Sequence, residues 1–364
     1  MMIDARYEAP LWDRLKESGK PIFLYGTGNG GDKIISALEK HSVALSGVFA
    51  SDGFVRSREF HSFHVRSYSD VREEYGDDII ILLAFGTTLP EVRAFIEELD
   101  VRHELYIPDV PLYGGELFDG GYFASHYDAL MRARSLFADE YSTLLFDDMI
   151  NFRLSGKMKY LSRTEEASAT LHNLFDGKKI STVVDGGAYR GDSAEIFIDA
   201  LSPDTVYAVE ADPKTFKKLT AFADSSVGSA VIPINAALWN ENGMLEYSSS
   251  GSRGAGESGQ NRRAKCAQTA SLTLDKLFSD YGITSDGRVL IKLDVEGAEK
   301  EAVDGGLGVI SAFSPDMAVS LYHRTDDVIT LTERIHSLLP HHRLYLRRIS
   351  CIPMWDLTLY AVGD

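Results

Sequence analysis

The sequence predicts an α/β protein in which a helical connector joins two β/α domains. Two separate series of apolar segments alternate with amphipathic helical segments, which predicts parallel sheets covered by helices. A run rich in proline and glycine between residues 108 and 121 separates the two series. The predicted divisions are a smaller Rossmann-like domain over residues 1–119, the connector over 120–178, and the second β/α domain over 179–364.

The first domain opens with an amphipathic segment in residues 1–19, where Leu11, Trp12 and Leu15 recur at helical spacing. The apolar run at residues 79–85 is of the kind buried inside a parallel sheet. The predicted strands are Pro21–Tyr25, Val43–Ala50, Ile79–Phe85 and Glu104–Ile107, and the predicted helices are Asp32–Lys40, Ser69–Tyr75 and Leu89–Leu99. This alternation predicts a small doubly wound domain.

The connector begins where Pro108, Pro111 and the pairs Gly114-Gly115 and Gly120-Gly121 predict irregular backbone. From Ser125 to Leu174 the pattern is helical and rich in Leu, Phe and charged residues. We expect this segment to link the two domains and to cover the site of the second one.

The second domain shows five alternating β/α units followed by a hairpin. The predicted strands are Thr182–Asp185, Val206–Glu210, Val231–Ala237, Val289–Asp294, Met317–Tyr322, Arg343–Ile349 and Leu357–Val362. The predicted helices are Ser193–Ala200, Pro213–Ala223, Glu299–Ile310 and Val328–Leu338. This plan predicts a seven-stranded sheet with its last strand antiparallel. The Gly/Ser-rich stretch Ser248–Arg263 predicts a flexible loop that closes over the site.

Composition excludes several classes of function. The formal net charge of −17 argues against a nucleic-acid partner, because binding to phosphate backbones requires a basic face. No apolar run approaches the roughly 18 residues that predict a membrane span, and the first residues lack the plan of a signal peptide. Cys266 and Cys351 are far apart, which argues against a disulfide framework or a zinc knuckle. We therefore expect a cytoplasmic protein; the sequence carries no indication of its oligomeric state.

The strongest motif is a glycine-rich turn that follows the first strand of the second domain. Glycine is needed where the backbone approaches a ligand or takes a positive φ, and an acidic residue at the strand end can meet an ammonium group. The candidate cofactor-binding residues of this turn are Asp185, Gly186, Gly187, Ala188, Tyr189, Gly191, Asp192 and Ser193. Taken alone, the turn could also be a loop for another nucleotide.

The next two strand ends add further candidate cofactor residues. Glu210 ends the second strand, where an acidic side chain can accept hydrogen bonds from both hydroxyls of a ribose. Ala211 and Asp212 follow it. Asn235, Ala236 and Ala237 close the third strand, where small residues leave room for an adenine ring and Asn235 offers an amide. Because ligands of open α/β sheets bind beyond the carboxyl ends of the strands, we expect these elements to converge.

The candidate catalytic residues are Asp294, Glu296 and His323, which follow the fourth and fifth strands. A neutral His323 is suited to accept a proton from an acceptor hydroxyl, and Asp294 is the alternative base, acting directly or through a cation. We expect Glu299 to serve as an acidic residue at a helix N-terminus. Asp294, Glu296, His323 and Asp326 would also suit a divalent cation; we expect a site without metal, since base and hydrogen-bonding roles explain these residues.

Taken together, these segments resemble the FkbM family of methyltransferases. The resemblance covers about residues 180–362 and rests on VVDGGAYRGD, VYAVEADP, INAALWN, SLTLDKL, IKLDVEGAE, SLYHRTDD and YLRRIS with DLTLYAV. It implies a class I methyltransferase fold, S-adenosylmethionine as cofactor, and methyl transfer to oxygen on a sugar, glycan precursor or related small molecule. The implied cofactor contacts are Asp185, Gly187, Tyr189, Gly191, Glu210, Asn235 and Ala236. Residues 20–119 resemble the N-terminal domain attached to many bacterial members.

The first domain carries its own glycine motif, which leaves alternatives open. Gly26, Gly28 and Gly31 spell G-x-G-x-x-G, and Asp52 follows at the spacing of a dinucleotide site. This turn could bind a nucleotide sugar or another phosphorylated ligand, serve packing alone, or bind NAD. The rival functions are therefore an NAD(P)-dependent oxidoreductase and a non-catalytic nucleotide-binding protein.

Overall fold

The computed structural model of the chain describes residues 6–55, 59–225, 227–249, 265–284 and 287–364. Its elements form two large, mostly parallel sheets covered by helices and one small sheet, with a helical segment between the two large sheets in the chain. This is the α/β architecture that the sequence predicts. Among the described residues, no helix is long and apolar enough to cross a membrane.

The first sheet has six strands in the order β3-β4-β2-β1-β5-β6. These strands are β1 (Ile22–Tyr25), β2 (Gly47–Ala50), β3 (Glu59–Phe60), β4 (Phe63–Ser67), β5 (Ile80–Leu83) and β6 (Glu104–Tyr106). The helices of this part are α1 (Leu11–Glu17), α2 (Asn29–Lys40), α3 (Tyr68–Tyr75) and α4 (Pro90–Arg102). The central strands β1 and β5 are buried along their whole length, because helices cover both faces of the sheet.

The short antiparallel hairpin formed by β3 and β4 was not predicted from the sequence. Phe60 pairs with Phe63 across a two-residue turn at residues 61 and 62, and His61 there takes a φ of +51°. The turn carries no Asn-Gly or Gly-Gly pair, which are the usual hairpin signals. β4 then joins the sheet parallel to β2.

Three α-helices lie between the two sheets in the chain. They are α5 (Gly120–Ser135), α6 (Glu140–Ser155) and α7 (Ala167–Leu174), with a 3₁₀ turn at Met158–Leu161. The prediction that Gly120-Gly121 interrupts regular structure was wrong, because α5 begins at Gly120. The carboxylate of Asp119 accepts a hydrogen bond from Tyr122 N at 2.9 Å and so caps this helix.

The second sheet has seven strands in the order β15-β16-β14-β13-β7-β8-β9. They are β7 (Ile180–Gly186), β8 (Thr205–Val209), β9 (Val231–Ile234), β13 (Arg288–Leu293), β14 (Asp316–Ser320), β15 (Arg343–Arg348) and β16 (Leu357–Val362), while β10 (Ala237–Leu238), β11 (Gly243–Ser249) and β12 (Lys265–Leu272) form a separate small sheet. The helices are α8 (Asp192–Leu201), α9 (Pro213–Ala223), α10 (Leu274–Tyr281), α11 (Glu299–Asp304), α12 (Leu307–Phe313) and α13 (Asp327–Leu338), with a 3₁₀ turn at Val227–Ala230. The last strand runs antiparallel to both neighbours, which confirms the predicted seven-stranded plan.

Two predicted elements of this domain are divided in the structure. The predicted strand 231–237 ends at Ile234, and Ala237–Leu238 pairs instead with β12 in the small sheet. The predicted helix 299–310 is divided at Gly305 and Gly306 into α11 and α12. The backbone at Gly305 lies close to Trp239, where a Cβ would be 2.1 Å from the Trp239 carbonyl oxygen. Helix α10 was not predicted.

The predicted flexible stretch Ser248–Arg263 is only partly described. Its first two residues belong to β11, which pairs antiparallel with β12 over seven residue pairs. The rest of that stretch lies outside the described residues, and so does the expectation that it closes over the site.

The two sheets are in contact through the segments that follow β5 and β15. Thr87 and Ile352 exchange two backbone hydrogen bonds, of 2.8 and 3.1 Å. Arg93 Nη1 donates to Ser350 Oγ at 2.7 Å, and Thr325 Oγ1 donates to Glu116 O at 2.6 Å. The first domain therefore lies against the edge of the second sheet that carries the strand ends.

Candidate functional site

A cavity of about 510 Å³ lies at the carboxyl ends of the strands of the second sheet. Its size is within the usual range of small-ligand pockets. Predicted site residues that line it are Gly187, Ala188, Tyr189, Asp192, Ser193, Glu210, Ala211, Asp212, Ala236, Ala237, Asp294 and Glu296. The structure thus brings the glycine turn, the second and third strand ends and the carboxylate pair to one cavity, as expected from the rule for open sheets.

The glycine turn is held against the neighbouring strands by its backbone. Gly187 N and Ala188 N both donate to Val209 O, at 2.9 and 3.0 Å. Gly187 has a φ of +75°, and a Cβ added there would lie 1.9 Å from Asp294 O. Only glycine fits at this point. Tyr189 also takes a positive φ of +51°, so the turn keeps an unusual backbone shape beside the cavity.

Asp185 does not reach the cavity, contrary to the expectation that it meets the cofactor's ammonium group. Its side chain is fully buried, forms a salt bridge with Lys292 Nζ at 3.0 Å and accepts a hydrogen bond from Ser193 Oγ at 2.6 Å. Lys292 Nζ also donates to Gly187 O at 3.0 Å. Asp185 therefore holds Lys292 in place, and Lys292 in turn holds the glycine turn through Gly187 O. Gly186 and Gly191 likewise shape the turn without being among the lining residues.

Glu210 presents its carboxylate at the tip of β8. The carboxylate accepts hydrogen bonds from Tyr189 N at 3.0 Å and from Asp212 N at 2.7 Å, which fixes it between the glycine turn and the start of α9. Burial raises the pKa of Glu210 to about 7, although the two backbone hydrogen bonds act to lower it. Asp212 caps α9 by accepting from Lys214 N at 2.7 Å.

Asn235 is exposed and is not among the residues that line the cavity. Its Nδ2 donates to Glu210 O at 2.8 Å and to Ala211 O at 3.3 Å. The amide expected to meet an adenine ring therefore holds the strand tip that carries Glu210. Its neighbours Ala236 and Ala237 line the cavity as expected.

The candidate catalytic residues form a cluster at the ends of β13 and β14. Asp294 and Glu296 line the cavity, whereas His323 is 1% exposed and lies behind them. His323 Nε2 is 3.7 Å from Asp294 Oδ1 and 3.5 Å from Glu296 Oε2. Its Nδ1 is 2.9 Å from Glu299 Oε1. Glu296 takes a positive φ of +58°, an uncommon backbone shape for this residue type that often occurs at functional sites.

The carboxylates around His323 favour its protonated form over the neutral form expected from the sequence. Burial acts to lower the pKa of this imidazole, but the carboxylates of Glu299, Asp294 and Glu296 outweigh burial and raise it to about 10. Without a bound cation the side chain is then protonated at neutral pH and cannot accept a proton from a hydroxyl; a metal ion at Nε2 would displace that proton. Burial acts to raise the pKa of Asp294, but Lys292 and His323 outweigh it and lower that pKa, so Asp294 is ionised.

Two acidic residues near this cluster differ from expectation. Glu299 begins α11, as expected, but it is 1% exposed and accepts hydrogen bonds from Val295 N at 2.8 Å and Gly297 N at 3.4 Å. It therefore belongs to the cluster itself. Asp326 is exposed and directly precedes α13, and its side chain makes no capping hydrogen bond there.

Several lining residues were missed by the sequence analysis, and three of them come from the first domain and the segment after it. Tyr113 Oη donates to Glu296 Oε2 at 2.5 Å, and Tyr322 Oη donates to Asp294 Oδ1 at 3.0 Å. The missed lining residues include Thr88, Leu112, Tyr113, Tyr322 and Trp355. Tyr113 lies in the irregular stretch that separates the two β/α series, where periodicity carries no signal.

The glycine motif of the first domain forms a turn from β1 into α2. Gly26 has a φ of +113°, and α2 begins at Asn29. The carboxylate of Asp52 is hydrogen-bonded to Ser69, through Ser69 N at 3.1 Å and through Ser69 Oγ. Lys33, on α2, donates to Pro111 O and Leu112 O at 2.6 and 2.5 Å. Binding of a nucleotide or another phosphorylated ligand at Gly26–Gly31 stays a prediction.

A family model matches most of the second domain. Residues 185–348 match the family model described as the methyltransferase FkbM domain. Methyltransferase FkbM from Methylobacillus flagellatus KT has a crystal structure that aligns with a TM-score of 0.69 at 18% identity, covering 99% of this chain and 95% of that one. At this identity the likeness shows a shared fold. No curated protein matches the chain.

Two further solved structures align with about half of the chain. Precorrin-6y C5,15-methyltransferase from Geobacter metallireducens GS-15 has a TM-score of 0.34 at 10% identity, covering 55% of this chain and 93% of that one. Fibrillarin from Aeropyrum pernix, solved with natively bound S-adenosyl-L-methionine, has a TM-score of 0.33 at 16% identity, covering 54% of this chain and 73% of that one.

Proposed function

Because residues 185–348 of this chain form a methyltransferase FkbM domain, we propose that the protein transfers the methyl group of S-adenosylmethionine to a hydroxyl oxygen of a sugar, glycan precursor or related small molecule. One observation carries this proposal: the carboxylate of Glu210 and those of Asp294 and Glu296 line the same cavity. Glu210 is suited to bind a nucleoside, and Asp294 and Glu296 are suited to bind a hydroxylated acceptor.

The part of the cavity around Glu210 has the chemistry that S-adenosylmethionine requires. An ionised Glu210 accepts hydrogen bonds from the two ribose hydroxyls. Ala236 and Ala237 leave space beside it for the adenine ring. The glycine turn at Gly187 lets the methionine end approach the backbone closely, and Asp192 lies at the N-terminus of α8 on the same wall.

The part of the cavity around Asp294 is suited to a polar acceptor with a carbon framework. Tyr113, Tyr322 and Trp355 contribute aromatic surface there, and Asp294 and Glu296 contribute carboxylate oxygen atoms. Aromatic rings pack against the carbon atoms of a small molecule, while carboxylates accept hydrogen bonds from its hydroxyl groups. Thr88 and Tyr113 place residues outside the second domain on this wall, so the acceptor is bound by both parts of the chain.

The proposed reaction is a single displacement. A lone pair of the acceptor oxygen forms the new bond to the methyl carbon, and the carbon–sulfur bond breaks with its electron pair going to sulfur, which leaves S-adenosylhomocysteine. The hydroxyl proton passes to the ionised carboxylate of Asp294. Holding oxygen and methyl in line contributes up to about 7–11 kcal/mol, and a positioned base contributes roughly 10²–10⁴-fold in rate.

Isothermal titration of the full chain with S-adenosylmethionine, S-adenosylhomocysteine and NADH tests the cofactor. We expect micromolar binding of the first two and none of the third. A screen of hydroxylated acceptors, beginning with nucleotide sugars, then follows transfer of an isotope-labelled methyl group. Binding of NADH alone would move the active centre to the Gly26–Gly31 turn and favour an oxidoreductase. Cofactor binding without transfer to any hydroxylated acceptor would contradict O-methylation.

A further inference from the structure

The cluster behind the cavity contains a buried nitrogen atom that the proposed reaction leaves without a role. His323 Nε2 has no hydrogen-bond partner, although the residue is only 1% exposed to solvent. Leaving a buried polar atom unsatisfied costs about 1–3 kcal/mol. Carboxylate oxygens of Glu296 and Asp294 lie 3.5 and 3.7 Å from this nitrogen, too far for a good hydrogen bond.

These separations suit ligands of one metal ion. Two ligand atoms that each lie about 2.1 Å from a cation are at most about 4.2 Å apart, and both distances from Nε2 fall below that limit. In addition, one ligand atom from each of Asp294, Glu299 and His323 lies within 4.8 Å of the other two. Imidazole nitrogen and carboxylate oxygen are common ligands of first-row divalent cations.

The other side of the histidine ring is arranged as in known metal sites. A histidine ligand usually donates its second ring N–H to a carboxylate, which fixes the orientation of the ring. Here Nδ1 lies 2.9 Å from Glu299 Oε1. Glu299 is itself held by Val295 N and Gly297 N. Nε2 is therefore directed at the Asp294 and Glu296 carboxylates by a rigid support.

We propose that His323 Nε2 and the carboxylate of Asp294 bind a divalent first-row metal ion at this cluster, with Glu296 beside them and Glu299 orienting the histidine. Because Asp294 and Glu296 line the cavity, a coordination position of the ion is open toward the acceptor. A hydroxyl bound there becomes more acidic, and Asp294 can still take up its proton through its second oxygen. This proposal goes beyond the proposed function and differs from the sequence-based expectation of a site without metal.

Manganese is the probe for this site. The full chain is treated with EDTA, desalted and titrated with MnCl₂ by calorimetry, while electron paramagnetic resonance follows free Mn²⁺. We expect one ion per chain. His323→Gln and Asp294→Asn should each weaken binding by at least tenfold, and Glu299→Gln by roughly 10–100-fold, which is the usual effect of losing an orienting partner. Zn²⁺ should compete with Mn²⁺ more strongly than Mg²⁺ does.

Glu195→Gln is the matched control, because Glu195 is an exposed carboxylate on α8, outside the cluster. We expect it to bind Mn²⁺ as the wild type does. Thermal unfolding followed by circular dichroism establishes which variants fold, and Asp294→Asn, on the cavity wall, decides the matter if His323→Gln does not. Absence of stoichiometric Mn²⁺ uptake, or equal uptake by wild type and the folded cluster variants, would overturn the proposal. The titration with S-adenosylmethionine is carried out without added metal, so failure of the metal proposal and failure of the proposed function can be distinguished.

Discussion

Tyr113 Oη donates a hydrogen bond of 2.5 Å to Glu296 Oε2, across 183 positions of sequence. The tyrosine belongs to the stretch that follows the first sheet, and the glutamate to the loop after β13. The ring of Tyr113 also contacts that of His323, with their centroids 5.6 Å apart. A residue outside the methyltransferase domain thus fixes the orientation of a carboxylate on the cavity wall.

Removal of this hydroxyl should impair use of the acceptor. A hydrogen bond to a charged group contributes about 1.5–3 kcal/mol, so we expect Tyr113→Phe to lower kcat/KM for the acceptor by roughly tenfold or more. The affinity for S-adenosylmethionine should be unchanged, since Tyr113 contacts Glu296 and His323 and not the Glu210 end of the cavity. Steady-state methyl transfer and calorimetry measure the two effects.

Tyr281→Phe is the control for Tyr113→Phe. Tyr281 is 41% exposed and contacts Tyr207 through its ring, so the substitution removes a hydroxyl away from the cavity. An equal loss of kcat/KM in both variants would show that Tyr113 has no specific part in positioning Glu296.

Cofactor affinity should rise with pH through neutrality. Burial raises the pKa of Glu210 to about 7, and the ionised carboxylate is the better acceptor for the ribose hydroxyls. The ionised fraction of a group with this pKa grows from about 9% at pH 6 to about 91% at pH 8, so affinity for S-adenosylmethionine should increase up to roughly tenfold over that range. Calorimetric titrations at several pH values measure it.

Glu210→Gln should abolish that pH dependence and weaken binding by roughly 10–100-fold, because it removes a charged acceptor of two hydrogen bonds. Glu195→Gln, an exposed carboxylate on α8, should retain the wild-type profile. If Glu210→Gln keeps the wild-type pH profile, Glu210 is not the titrating group.

Alanine substitutions at Gly187 and Gly177 can separate the cost of a steric clash from the cost of a positive φ. Gly187 and Gly177 have φ values of +75° and +68°, but only at Gly187 would a Cβ meet backbone, at 1.9 Å from Asp294 O. Gly177→Ala should therefore cost only about 1 kcal/mol for strain. Gly187→Ala must also displace the strand tip at Asp294, so we expect a larger loss of unfolding free energy and loss of cofactor binding. Equal effects in chemical denaturation would contradict this account.

Arg348 should be among the most costly charged residues to remove. It is 1% exposed and donates to Leu161 O at 2.8 Å, to Pro353 O at 3.1 Å and to Cys351 O. Arg348→Met would leave these carbonyls without that donor, which costs about 1–3 kcal/mol for each buried group left unsatisfied. We expect a drop of about 2–4 kcal/mol in the free energy of unfolding.

Arg343→Met is the control, since Arg343 is exposed on the same strand β15. It should change the free energy of unfolding by less than about 0.5 kcal/mol. Denaturant titration of both variants measures the difference, and similar losses in the two would show that the internal hydrogen bonds of Arg348 contribute little.

Sequence reasoning succeeded where local pattern determines structure. The boundaries of α9 and β16 were predicted to the residue, because Pro213 follows the capping Asp212 and because β16 is a clear apolar strand. The position of the glycine turn was predicted correctly. Its backbone at Gly187 lies so close to the Asp294 carbonyl oxygen that only glycine fits. These features depend on neighbours in sequence or on one tight backbone approach.

Sequence reasoning failed where a side chain's role depends on distant partners. Asp185 lies at a strand end, where an acidic residue commonly meets a ligand, yet Lys292 pairs with it from the next strand of the sheet. The charge state of His323 depends on three carboxylates that the fold gathers around it. Tyr113 lies in irregular backbone and enters the site only because the first domain packs on the second.

The paired backbone hydrogen bonds between Thr87 and Ile352 have a consequence for how acceptor preference could change during descent. These bonds join the first domain to the second beside Trp355, whose ring packs against Gly86. Exchanging the first domain for a foreign one would replace part of the chamber wall while every strand of the methyltransferase sheet stayed intact. Recombination that exchanges the first domain could thus change which acceptor is bound, while the proposed cofactor site in the second domain stays the same.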